Sequence, residues 1–228
     1  MKHLIILTFV ILSTTFNNTF AQKKPLLGSG KIERITYTKI GYDKINLKDF
    51  EGKIEIVLGK SHNIVIDIDD NLAKLVTFEL DSDENELTVS ISGNKNGKLY
   101  LEDRSSKIVI NMPEASVIRH RGNSNMIITQ IKGRYFRLEH QGNGDVRLSG
   151  KIAELDISKT GNGSIFAENL LSNSANINSI GNGDVKINAS ESFYVKGAGN
   201  GDMIQFGKGY QKPFSGIIGN GNIIRSQL

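Results

Sequence analysis

A chain of 228 residues is long enough for one domain or two small ones with a substantial core. Its 28 Lys and Arg against 24 Asp and Glu give a formal charge of +4 that is spread along the chain rather than gathered into a basic stripe, so nucleic acid is not an expected partner. There is no cysteine, which excludes disulfides, a thiol nucleophile and a lipid-modified cysteine anchor.

Met1-Lys2-His3, the apolar run from Leu4 to Phe16 and the exit Thr19-Phe20-Ala21 read as a secretory signal peptide over residues 1–21, with cleavage before Gln22. The run is shorter than the roughly 20 residues of a membrane span, and no other stretch could cross a bilayer. The expectation is an exported protein in the periplasm, at the cell surface or secreted. Residues 22–30 hold Pro25 and two glycines without periodicity and read as a flexible lead.

Residues 31–113 form a β-rich part with alternating patterns. Ile54, Ile56 and Leu58 share one strand face, and Ile64, Ile66 and Ile68 share another after the polar turn Gly59 to Asn63. Leu75 to Leu80 and Leu87 to Ile91 make a second pair across an acidic turn, with one helical turn expected at Asp70 to Lys74. After a loop from Gly93 to Gly97, strands are expected at Leu99 to Glu102 and at Lys107 to Met112, the latter ended by Pro113. Antiparallel meandering neighbours are the expected arrangement.

From residue 114 to 228 a repeat takes over. Gly122-Asn123-Ser124-Asn125, Gly142-Asn143-Gly144-Asp145, Gly161-Asn162-Gly163-Ser164, Gly181-Asn182-Gly183-Asp184, Gly199-Asn200-Gly201-Asp202 and Gly219-Asn220-Gly221-Asn222 begin 20, 19, 20, 18 and 20 residues apart. So steady a period signifies stacked coils. Four residues after each first Gly sit Met126, Val146, Ile165, Val185, Met203 and Ile223; four before it sit Ile118, Leu138, Ile157, Ile177 and Val195. Each repeat is therefore two strands that meet at a Gly-Asn-Gly corner with alternate residues inward. At about 3.3 Å per residue, such a coil is a flattened loop around a packed core, and the crossover rule favours a right-handed parallel β-solenoid of about 20 residues per coil. Gly enters positive φ freely and Asn tolerates it, so the triplet permits an abrupt turn, while stacked Asn side chains can bond up the column.

The alternating first part, the Asp70-Asn71-Leu72 turn, the Pro113-terminated strand and the Gly-Asn-Gly-Asp-Val corners at Gly142 and Gly181 resemble the bacterial head GIN domain proteins, the putative auto-transporter adhesins. The resemblance covers about residues 35–224 as one continuous unit. It implies an exported, largely right-handed parallel β-helix, and brings no catalytic residues with it. No C-terminal membrane barrel is expected in this chain, so the family name does not imply self-transport.

Asn125, Asp145, Ser164, Asp184, Asp202 and Asn222 follow the corners as a column. Oxygen ligands at close spacing suit Ca²⁺, but the period differs from the nine residues of calcium-binding repeats and Ser164 interrupts the acids. Turn-forming side chains that bond backbone are the leading reading; whether the Asp145, Asp184 and Asp202 column takes a cation stays open. His120 and His140 occupy equivalent places and should stack, but Lys159, Ser179 and Gly197 follow them where further metal ligands would be needed. No metal, cofactor or catalytic residue is assigned.

Phe136 and Phe193 fit the core, whereas Tyr135 and Tyr194 have outward parity and could form a contact strip. Polysaccharide-degrading β-helices build clefts on long loops; these repeats vary by one or two residues, there is no Trp, and no Gly-x-Ser-x-Gly occurs. The last corner is followed by Ile223-Ile224-Arg225 without a covering element, so self-association through that end is expected. The reading is an exported, non-enzymatic, adhesin-like β-solenoid that presents a repetitive surface to a glycan or a cell-envelope or surface protein. A structural envelope protein assembling through its last coil is the alternative, and a polysaccharide-degrading enzyme ranks below both.

Overall fold

The computed structural model describes residues 26–50, 52–91, 101–102 and 106–226. The expected signal peptide and the loop at 93–97 lie outside them. After the two-residue β1 (Leu26–Leu27) come β2 (Ile32–Tyr37), β3 (Lys44–Lys48), β4 (Lys53–Leu58) and β5 (Asn63–Asp69), and in β4 and β5 every second residue is buried, as their alternation dictates. The expected helical turn is α1 (Asp70–Ala73), which buries Leu72. Then follow β6 (Val76–Asp81), β7 (Glu86–Ile91), β8 (Leu101–Glu102) and β9 (Lys107–Met112). Within the expected lead, Leu26–Leu27 lies parallel to Leu101–Glu102, and the Ser29 and Gly30 N–H groups donate to Asn71 and Asp69 at 3.0 and 2.6 Å.

The first part is antiparallel only at its outer strands. β6 and β7 form the expected hairpin, β2 pairs with β5, and β5 with β9. β4 and β5, adjacent in sequence, are not partners. β9 lies between them, parallel to β4 and antiparallel to β5. The reason is apolar register: Ile108 and Ile110 align with Ile54 and Ile56 on one side and with Ile66 and Ile64 on the other, so one isoleucine layer runs unbroken across three strands. β3 pairs parallel with β7, and Tyr37 on β2 stacks on Phe78 of β6 with centroids 4.4 Å apart, closing this end of the core.

The parallel stack thus begins at β7 and β9, passes through β3 and β4, and continues through β10 (Val117–Arg121), β11 (Asn125–Gln141), β12 (Val146–Thr160), β13 (Ile165–Ile180), β14 (Val185–Gly199), β15 (Met203–Gln205), β16 (Tyr210–Gln211), β17 (Gly216–Gly219) and β18 (Ile223–Arg225). This is the β-solenoid of the sequence reading. One column runs Ile66, Ile108, Ile54, Met126, Val146, Ile165, Val185, Met203 and Ile223, in register throughout. All but the last are at most 2% exposed. Burying each such side chain contributes about 1.5–3 kcal/mol, so the repeated column is a substantial part of the core's stabilisation.

The long strands β11 to β14 bend midway, where the register slips between Ile128 and Ile131, Arg147 and Ser149, and Ala167 and Leu171. Each coil therefore has a second, bulged bend opposite the Gly-Asn-Gly corner. Gln130 and Gly150 take positive φ there. At the far end, the buried Gln205 pairs its amide with both backbone groups of Ala189, at 2.7 and 3.1 Å, and stands in for a strand residue.

Candidate functional site

The Gly-Asn-Gly corners form a single edge along the molecule. From the second corner onward the first glycine takes positive φ, as at Gly161 with φ 124°. The second does not; it is small because the preceding corner lies against it. A Cβ on Gly163 would stand 2.0 Å from the carbonyl oxygen of Gly144, and the same approach recurs up the stack. None of the corner asparagines has positive φ. Their role is the ladder: Asn143, Asn162, Asn182, Asn200 and Asn220 each donate Nδ2–H to Oδ1 of the asparagine one coil back, at 2.7–3.1 Å.

The following position makes a second ladder. The side-chain oxygens of Asn125, Asp145, Ser164, Asp184 and Asp202 each accept the backbone N–H of their counterpart in the next coil, at 2.8–3.2 Å. These side chains bond the neighbouring coil's backbone rather than their own. One oxygen of each Asp is thereby committed, and among the described residues no three His, Cys, Asp or Glu converge as metal ligands would.

Inside the corner lies a polar column, His120, His140 and Lys159, exposed by only 0, 2 and 1%. The imidazoles stack with centroids 5.1 Å apart and share a hydrogen bond between their Nδ1 atoms at 3.1 Å. Only one of the two can carry its proton on Nδ1, so the accepting ring is neutral, and with both rings neutral they differ in tautomer. Both Nε2 atoms are buried without a partner among the described residues. Burial, then the neighbouring His140, holds His120 down at about 3, and burial lowers His140 as well. Lys159 donates to the Gly161 carbonyl at 3.0 Å, and burial lowers its pKa against the pull of Asp184.

Two outward faces flank the edge. Five residues after each first glycine stand Ile127, Arg147, Phe166, Lys186, Ile204 and Ile224, in register on adjacent strands. The Arg147 guanidinium lies 4.2 Å from the Phe166 ring centre and the Lys186 ammonium 5.1 Å, so two cations share one ring. Ile127 is 44% exposed. On the other face Arg137 bonds Glu139 and Asp156, each at 2.7 Å, and Arg119 bonds Glu139 and Glu86. Burial opposes ionisation of Glu139, but the two arginines outweigh it and hold its carboxyl below the usual range. The hydrogen bond that Arg137 donates to Glu139 likewise raises the guanidinium's pKa.

A family model described as putative auto-transporter adhesin, head GIN domain, matches residues 41–209. The chain belongs to that family. The GIN domain fold is also similar to the crystal structure of a putative adhesin from Bacteroides fragilis (23% identity, TM-score 0.63, 88% of this chain and all of that one). A putative lipid binding protein from Parabacteroides distasonis follows at 19% identity and TM-score 0.55, over 90% of this chain and all of that one. A putative adhesin from the same organism has 17% identity and TM-score 0.50, over 89% of this chain and all of that one. No curated protein matches the sequence.

In this GIN domain the expected tyrosine strip does not assemble. Tyr135 aligns with Glu154 and Ser174, and Tyr194 with Asn176, so the two rings stand in different columns three coils apart. Tyr135 instead donates to Asp156 at 3.3 Å. Phe136 and Phe193 are fully buried, as their parity requires. The column the sequence reading missed is the one carrying Phe166; counting five residues on from each corner glycine would have found it. No helix among the described residues is long and apolar enough to cross a membrane.

Proposed function

We propose that the protein is an exported, non-enzymatic binding module of adhesin type whose contact surface is the Ile127–Arg147–Phe166–Lys186 column with the asparagine and aspartate edge beside it. The observation that carries this reading is the register itself: an extended partner lying along the axis meets equivalent groups every coil, about 4.8 Å apart. Cations on an aromatic ring beside hydrogen-bonding amides and carboxylates suit a glycan or a protein of the cell envelope or surface. The family's adhesin description and the expected signal peptide support the same placement outside the cytoplasm. The Asp column is occupied with backbone and offers no convergent acid pair for glycoside hydrolysis.

The test is binding of residues 22–228 to a panel of glycans and matrix proteins, with product release assayed in the same wells. Saturable binding weakened about tenfold or more by Phe166→Ala with Arg147→Ala supports the reading, at the 1–2 kcal/mol expected of such contacts. Released oligosaccharide overturns it. A second reading, a structural envelope protein assembling through its last coil, takes over if nothing binds; Phe214 at 97% and Ile218 at 82% exposure favour it.

A further inference from the structure

We infer that copies of this protein stack head to tail, the basic last coil of one seated on the first edge of the next, whose β6–β7 hairpin is acidic. The inference deepens the assembly reading and is independent of the binding reading, so the binding panel and the experiment below fail separately.

Both sheet layers end in strands paired on one side only. Among the described residues β17 and β18 pair only with β14 and β15 at one end, and β6 and β2 only with β7 and β5 at the other. Unpaired strand edges are ready templates for another chain. The layers are continuous, so β6 terminates the layer that β17 begins, and β2 the layer that β18 begins. Copies aligned along one axis bring β17 beside β6 of the next copy, antiparallel, and β18 beside β2, parallel. No backbone rearrangement is needed, only the strand spacing already used within the stack.

Charge selects this pairing over two like ends. Residues 203–226 hold Lys208, Lys212 and Arg225 and neither Asp nor Glu. The β6–β7 hairpin carries Glu79, Asp81, Asp83, Glu84 and Glu86, several of which line an open cleft of about 500 Å³. Among the described residues Glu79, Asp81 and Asp83 have no cationic partner. Apolar surface gathers at the same two ends: Phe214 and Ile218 at one, Ile32 and Ile40 at the other, are 49–97% exposed. Two last coils would oppose like charges, whereas a head-to-tail contact sets those cations against the hairpin acids; β2, with Glu33 beside Lys31 and Arg34, contributes backbone edge rather than net acid. Such a contact is heterologous and does not close on itself, so it propagates.

The experiment is sedimentation velocity of residues 22–228 over a concentration series at low and at 0.5 M salt, with two charge-reversed variants, Lys208→Glu with Lys212→Glu and Glu79→Lys with Asp83→Lys. Wild type should form a ladder of species beyond the dimer, with the midpoint concentration rising about tenfold or more in high salt. Each variant alone should stay monomeric while melting like wild type, and an equal mixture should assemble again, because each altered end finds its complement. A wild-type monomer up to millimolar concentration, a closed dimer, or variants that assemble singly would each overturn the inference.

Discussion

The buried imidazole pair makes acid stability the sharpest test of the corner's interior. In the unfolded chain His120 has the ordinary value of 6.5; in the fold it is held at about 3. Between these limits the unfolded state binds a proton that the native state refuses, so stability is full above pH 6.5 and declines as pH falls. Each pH unit in that window costs about 1.4 kcal/mol per proton, or about 2 kcal/mol between pH 6.5 and 5.0 for His120 alone. His140, lowered for the same reason, adds to the loss in the same direction. Carboxylates whose ordinary values are 3.8 and 4.5 take little part above pH 5, which isolates the histidines in this window. Urea unfolding at pH 7.5 and 5.0 should therefore show a drop of about 2–3 kcal/mol, and the double variant His120→Leu with His140→Leu should abolish it. Equal wild-type stability at the two pH values, or an unchanged drop in the double variant, would refute the reasoning.

Other corners of the structure yield quantitative expectations. Gly163→Ala places a methyl 2.0 Å from the Gly144 carbonyl oxygen and should destabilise by about 2–4 kcal/mol in urea unfolding, without φ strain as the cause. Asn182→Ala removes two ladder bonds of 2.7 Å at an exposed edge and should cost only about 1–2 kcal/mol in the same assay. Lys159→Met replaces a fully enclosed amine by an apolar group of similar length; thermal melting should show stability unchanged or raised by about 1–2 kcal/mol, whereas a loss above 3 would show the amine to be needed. Gln205→Leu removes the amide acceptor of the Ala189 N–H, while the Ala189 carbonyl keeps the Gly209 N–H at 2.9 Å; it should cost about 1–3 kcal/mol in urea unfolding, and Gln205→Asn, too short to reach, should cost as much.

Much of the solenoid was legible because its period is written twice, in the corner glycines and in the apolar positions four residues to either side. Met126, Val146 and Ile165 had to face inward once the period was recognised, and they do. Alternation, however, fixes which face a residue occupies and not which strand lies beside it. That is why β9, distant in sequence, intrudes between β4 and β5 where a hairpin was the natural reading. The second bend was illegible for another reason: Gln130, Gly150 and the slip after Ala167 solve the same turn with different residues, so no motif recurs. At the corners the asparagines were expected for their backbone tolerance as well as their side chains, and only the side chains matter. The stacked histidines could be placed from spacing, but their neutrality follows from burial, which spacing does not report.

The two bends of each coil are under opposite constraints. Along the glycine edge from Gly142 onward the corner carbonyls fit against the next corner with no room for a single added carbon, so a bulkier residue cannot be accepted there without parting the coils; only the first corner, with Ser124 in the second place, has that room. The opposite bend already absorbs slips of differing length between neighbouring strands. The two margins of the rod therefore differ in tolerance: one is held by steric necessity as a hinge-less spine, and the other has room for loops.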